Sequence, residues 1–92
     1  MKVKFSKNSV KFLNSLSDKE REKIRHKLKE LVSAIEVSGL IPFRELDIKN
    51  LKGDWKGFLR FRIGKIRLIF KINIEDDELM IYEIDYRGGV YK

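Results

Sequence analysis

The chain has no cysteine, a single proline, a single histidine and a single tryptophan among its 92 residues. Without cysteine there is neither a disulfide framework nor a thiolate metal site, and one histidine is too few for an imidazole zinc site, so neither a metal nor another cofactor is expected. No apolar run is long enough to span a bilayer or to form the core of a signal peptide, which predicts a cytoplasmic protein with no membrane partner. Repeats, low-complexity stretches and a composition break are also missing, so residues 1–92 are read as one domain with one modest core.

What the chain has in excess is positive charge. Lysine and arginine number 21 against 14 acidic residues, a formal net charge of +7. The sequence pI is about 9.7. Such a balance favours nucleic acid, an acidic protein, or both as partners. Hydrophobic residues at 42% and charged residues at 38% describe a folded, highly charged domain, and the abundance of Lys, Glu and Ile is compatible with a heat-adapted source.

The charge is concentrated where the sequence is most regular. From Leu51 to Ile72, the runs FLRFRI and KIRLIFKI alternate apolar with polar or basic residues, the period of half-buried strands. Gly64-Lys65 between them suits a two-residue type II′ hairpin. Counting outward from that turn pairs Ile63 with Ile66, Phe61 with Leu68 and Leu59 with Phe70 on a core face. The other face receives Arg62 opposite Arg67, Arg60 opposite Ile69, and Phe58 beside Lys71. Like charges directly opposite destabilise a sheet by up to about 1 kcal/mol per pair, and the hairpin itself carries no carboxylate. An anion is therefore expected on this face, and the planar guanidinium fork suits phosphate.

Upstream, Met1–Phe5 alternates as a short strand with Val3 and Phe5 facing inward. Ser6 caps a helix expected over roughly Lys7–Leu16, with Val10, Phe12, Leu13 and Leu16 as its apolar residues. Ser17 with Glu20 forms a capping-box pattern that opens a longer helix, striped by Ile24, Leu28, Leu31 and Ile35. His26 falls off that stripe and is expected to be solvated. Ser38, Gly39 and Pro42 end the helix. The connection from Gly39 to about Lys56 carries Leu40, Ile41, Phe43, Leu46, Ile48 and Leu51, too apolar for a free linker, and is expected to lie on the core. Glu78–Tyr86 reads as a last, well-covered strand with Met80, Tyr82, Ile84 and Tyr86 on one side and Leu79, Ile81, Glu83 and Asp85 on the other. The order is strand, helix, helix, three strands. It predicts an α+β fold with a helical hairpin on one face of an antiparallel sheet and the arginines on the other.

Leu51-Lys52-Gly53, the strand and turn Leu59-Arg60-Phe61-Arg62-Ile63-Gly64, the strand Ile66-Arg67-Leu68-Ile69-Phe70, and the ending Tyr86-Arg87 to Val90-Tyr91 together resemble the RelE toxins of the RelE/ParE superfamily, along the whole chain. The resemblance implies a microbial-ribonuclease-like fold and the toxin of a toxin–antitoxin pair. Such a toxin is a ribosome-dependent endoribonuclease that cuts mRNA in the ribosomal A site and is neutralised by a RelB-like antitoxin. By the same resemblance Arg62, Arg67, Arg87 and Tyr91 are the catalytic candidates, with Arg60 gripping RNA, and Lys49 and Lys52 on the long connection join it as RNA-binding candidates by their charge. Two positions depart from the family pattern. Arginines replace the lysines that the best-known members carry before the turn, and Tyr86 stands where many relatives have histidine. Arginine holds its proton too tightly to act as a base, so Arg60 and Arg62 are read as electrostatic clamps. Glu83 and Asp85 are carboxylates that either accept a proton or neutralise arginines. Lys19, Lys23 and Lys27 on the second helix, with Lys49 and Lys52, are candidates for meeting ribosomal RNA. Two alternatives are a ParE-like inhibitor of DNA gyrase and a non-enzymatic RNA-binding module. The second fits less well, because few exposed aromatic residues are expected on the basic face.

Overall fold

A computed structural model of the chain describes residues 1–86; Arg87 and Tyr91 lie outside the described residues. The elements in order are β1 (Lys2–Phe5), α1 (Lys7–Asn14), α2 (Asp18–Ser38), β2 (Ile48–Asn50), a single 3-10 turn (Gly53–Trp55), β3 (Leu59–Ile63), β4 (Ile66–Asn73) and β5 (Glu78–Tyr86). One five-stranded sheet runs β1-β5-β4-β3-β2, with β1 parallel to β5 and every other pair antiparallel.

The helices form where their caps direct. Ser6 in extended backbone accepts from the amide of Ser9, and Ser17 and Glu20 make the reciprocal bonds of a capping box. Arg21 Nη1 donates to the carbonyls of Leu13 (3.2 Å) and Leu16 (2.7 Å), a cation placed at the C-terminal end of α1. α1 ends at Asn14, two residues earlier than expected. Gly39 at φ +72° ends α2, its amide donating to Ile35 O.

The inward stripe of α2, Ile24, Leu28 and Leu31, packs with Phe61, Leu68, Phe70, Leu79 and Ile81 in the core. Each such side chain contributes about 1.5–3 kcal/mol when fully buried. That exceeds the few tenths at stake in any helix propensity, so packing decides where this helix lies.

The hairpin has the expected register in every pair from Leu59↔Phe70 to Ile63↔Ile66. Gly64 carries φ +59° and Lys65 is not among the positive-φ residues, the pattern of a type II′ turn.

Two features differ from the sequence reading. The long connection contributes a strand of its own: Ile48 is buried opposite Phe61, and Lys49 lies opposite Arg60. The apolar residues that pull this segment onto the core thus also place its backbone beside β3. The alternation expected along β5 breaks as well. Ile69 pairs with Glu83 but the next residue, Phe70, pairs with Ile81, which leaves Tyr82 as the extra residue of a β-bulge. Leu79 and Ile81 therefore share the buried face with Ile84, while Met80 is directed away from it. The bulge is tied down from the helical layer. Ser6 Oγ donates to Tyr82 O at 2.7 Å, and the Ser6 amide donates to Ile81 O at 2.9 Å.

Candidate RNA-facing surface

The helices cover one face of the sheet, and pairing across the strands aligns two rows of side chains on the other. One row reads Lys49, Arg60, Ile69, Glu83 from β2 to β5; the next reads Arg62, Arg67, Asp85. Basic groups occupy the β2–β4 end of these rows and carboxylates the β5 end. Of the expected site residues, Arg60, Arg62, Arg67 and Lys49 are thus brought onto one face. Lys52 is exposed in the turn that follows β2.

Part of the anion expected there is supplied by the chain itself. Asp47, at φ +54° just before β2, accepts from Arg62 Nε at 2.9 Å and Arg62 Nη2 at 3.3 Å, and from Arg60 Nη2 at 3.1 Å. The Asp47 carbonyl also accepts from the Arg62 amide at 3.2 Å, so backbone and side chain hold the same partner. Hydrogen bonding from Arg62 keeps the Asp47 carboxyl below the usual carboxylate range, against the opposing effect of partial burial and with help from the charges of Arg62, Arg60 and Lys49. Asp85, directly across from Arg67, faces the other end of the same row. Carboxylates at both ends explain how the sheet tolerates Arg62 opposite Arg67.

The arginines differ in access. Arg60 is buried to 6% exposure, its stem beside fully buried Ile69 and its head on Asp47. Arg62 and Arg67 are half-buried and present their row to solvent at the hairpin end. Tyr86 lies opposite Ile66, a core-face residue, and its ring meets Phe12 of α1 at 5.2 Å. It therefore turns toward the helical layer, away from the arginine row. His26 is largely exposed on α2, 3.3 Å from Glu30, as its position off the apolar stripe predicts.

The same face holds aromatic residues that the sequence reading undercounted. Phe58 and Tyr82 flank β4 on strands roughly 10 Å apart, yet their ring centroids are 4.8 Å apart, so the two side chains arch toward each other over β4. Trp55 abuts Phe58 at 5.3 Å, and Lys71 Nζ lies 5.6 Å from the Phe58 ring centre. Phe58 beside Lys71 follows from the register. Tyr82 does not, because the bulge re-aims it; the partly apolar character of both sides of β5 is the signal that strict alternation fails there.

A separate groove of about 510 Å³ opens on the helical side between α2 and β1, lined by Val3, Leu13 and Val32 together with Arg21, Arg25, Lys29 and Glu36. It does not share residues with the arginine rows.

No family model matches the chain. Among curated proteins, "Putative toxin RelE1" of Methanocaldococcus jannaschii is 38% identical over 66 residues, 72% of this chain and 71% of the relative. Among solved structures, RelE in the archaeal RelE–RelB complex of Pyrococcus horikoshii superposes with a TM-score of 0.67 at 27% identity, covering 97% of both chains. The chain matched in the RelB–RelE antitoxin–toxin complex of Methanococcus jannaschii gives 0.65 at 25% identity, over 97% of this chain and 95% of that one. The protein belongs to the RelE toxin family.

Proposed function

We propose that the protein is a ribosome-dependent endoribonuclease that cleaves mRNA in the ribosomal A site and is held inactive by a RelB-like antitoxin. The observation that carries this reading is the Arg62–Arg67 row on the open face of a RelE-family sheet.

The reaction is attack of a ribose 2′-oxygen on the adjacent phosphorus. The P–O2′ bond forms, the P–O5′ bond breaks, the 2′-hydroxyl proton is lost and the leaving 5′-oxygen gains one, giving a 2′,3′-cyclic phosphate and a 5′-hydroxyl. Negative charge grows on the phosphoryl oxygens in the transition state. Arg67 and Arg87 stabilise that charge, and preorganised cations of this kind are worth about 10²–10³ in rate apiece. Arg62, braced by Asp47, grips the scissile or neighbouring phosphate, with Lys49 and Lys52 extending the basic track toward β2 and Arg60 adding its charge from its buried position on Asp47. Tyr91 stacks on a base or donates the proton to the leaving oxygen. Asp85, opposite Arg67, is a carboxylate within reach of the same row. Arginine is a poor proton carrier, so little acid–base power resides in these groups. Dependence on the ribosome to align the 2′-oxygen in line with the scissile bond follows from that shortage.

The antitoxin is an acidic or amphipathic chain. The +7 net charge favours such a partner. Its carboxylates replace phosphates on the arginine face, and an apolar helical stripe suits the groove between α2 and β1, where Arg21, Arg25 and Lys29 outnumber Glu36 and favour acidic flanks. The solved structures of RelE with RelB support a partner of this class.

The test is a translation extract programmed with one defined mRNA plus purified protein, with cleavage ends mapped by primer extension beside a ribosome-free control. Cuts confined to translated codons are expected, and purified antitoxin should abolish them. Equal cutting of free RNA would make the protein an autonomous ribonuclease. An absence of cuts with folded protein would shift the reading to a ParE-like action on gyrase.

A further inference from the structure

We propose that Trp55 and Tyr82, braced by Phe58 and flanked by Lys71, form a base-stacking platform that binds single-stranded RNA beyond the scissile phosphate; the inference rests on the RNA-cleaving reading of the same face.

Four observations carry it. The three rings make consecutive edge-to-face contacts, Trp55 to Phe58 at 5.3 Å and Phe58 to Tyr82 at 4.8 Å, so they act as one rigid unit. The unit lies on the arginine side of the sheet: Phe58 is two residues before Arg60, and Lys71 alternates with Ile69 and Arg67 along β4. Tyr82 remains 39% exposed although it packs edge-to-face on Phe58, while Ile69 on the strand between them is fully buried. Finally, the sheet departs from regular pairing at this residue, and the bulge that puts Tyr82 here is anchored by the Ser6 hydroxyl.

Shielding Ile69 accounts for an apolar cover but not for an exposed phenol or for lysines around it. Lys71 is exposed beside Phe58, and Lys52 and Lys56 bracket Trp55 in the sequence. Rings with cations beside them are a pattern by which proteins hold single strands, each base stacking on a ring while ammonium groups follow the phosphates. A recess of about 440 Å³ adjoins Tyr82, lined by Lys71 and Met80 together with Glu75 and Glu78; Glu78 is engaged by Lys4 at 2.7 Å. Four residues of strand separate the Arg62–Arg67 row from Lys71, roughly 13 Å. A strand of RNA held at its scissile phosphate would reach the platform with a nucleotide flanking the cut.

Trp55 is the chain's single tryptophan, so its fluorescence reports on the platform directly. The probe is a short 2′-O-methylated single-stranded RNA, which cannot be cut, titrated at low salt beside a strand of equal length with abasic sites. Saturable quenching by the intact strand, several-fold weaker binding of the abasic strand, and a roughly tenfold loss of affinity in Tyr82→Leu restored in Tyr82→Phe are expected. The Tyr82→Leu loss should leave the salt dependence of binding unchanged, whereas Lys71→Gln should lower its slope by about one. Trp55→Leu, followed by anisotropy of labelled RNA, gives the same answer from the other ring. Equal binding of intact and abasic strands, or quenching by an acidic antitoxin peptide and not by RNA, would overturn the platform. If RNA quenching depends on Tyr82 while the translation extract shows no cleavage, the nuclease reading fails and the platform stands. If cleavage is ribosome-dependent and both ring variants bind and cut as the parent does, the reverse holds.

Discussion

Asp47 and Arg62 are joined twice, by side-chain hydrogen bonds from Arg62 Nε and Nη2 to the carboxylate and by the Arg62 amide donating to the Asp47 carbonyl. This pair places a loop residue in left-handed backbone against the central arginine of the open face. The self-supplied anion both offsets guanidinium repulsion and sets the orientation in which Arg62 meets a phosphate.

Asp47→Asn keeps the shape, and asparagine tolerates the same backbone conformation, so the change isolates the charge. Because the folded carboxyl titrates below its unfolded value, its stabilisation is fully present above the unfolded pKa and is lost as pH falls through the folded one. The variant should lose about 1 kcal/mol at pH 7, a figure discounted for an exposed carboxylate, and converge with the parent in strongly acidic buffer. Urea titrations across that pH range read both limits.

Removing Arg67 tests the chemistry. Arg67→Ala should lower ribosome-dependent cleavage by about 10²–10³ while thermal unfolding stays cooperative and ribosome binding persists. Unchanged cleavage in a single-turnover assay would remove Arg67 from the reaction.

The hairpin turn makes a backbone prediction. Gly64 has φ +59°, and an added Cβ would lie 2.9 Å from Lys23 Nζ. The lysine end swings away at little cost, so Gly64→Ala should destabilise mainly through the left-handed backbone, by about 1–2 kcal/mol. Chemical denaturation measures it. A shift well below that range would mean the turn has re-formed with another geometry.

Ser6 serves α1 and the bulge at once. Ser6→Ala removes the N-cap acceptor and the donor to Tyr82 O, and should cost about 1–2 kcal/mol. Amide exchange of β5 near Tyr82 should accelerate more than that of the β3–β4 hairpin.

Charge reversal at the groove separates partner binding from chemistry. Arg25→Glu with Lys29→Glu should weaken capture by the antitoxin, chiefly at low salt, and leave cleavage by free toxin near the parental rate. Loss of cleavage with antitoxin binding intact would assign this border to the ribosome instead.

Some of this was readable in residues close together in the chain. Ser6, Ser17 and Glu20 announce their helices because capping is local. The two-residue loop at Gly64 and the period of two on either side determine the hairpin register, and with it the meeting of Arg62 and Arg67, because each pair follows from the last. Family membership was legible for the same reason: its residues stand in order on these local frames. Other features required the chain to close on itself. Asp47 is 15 residues from Arg62, and nothing in its neighbourhood marks it as the arginines' counter-ion. β2 is three residues long, too short for any periodicity, and exists because β3 offers it an edge. The bulge at Tyr82 depends on β4 pairing and on Ser6, 76 residues away, and it gathers three aromatic residues that look scattered in the sequence. Which faces are apolar, where helices begin and which strands adjoin a tight turn depend on neighbours within a few residues and are written locally in the chain. Which carboxylate meets the arginines and where the rings converge emerge on folding, because those contacts form between segments whose separation along the chain carries no pattern.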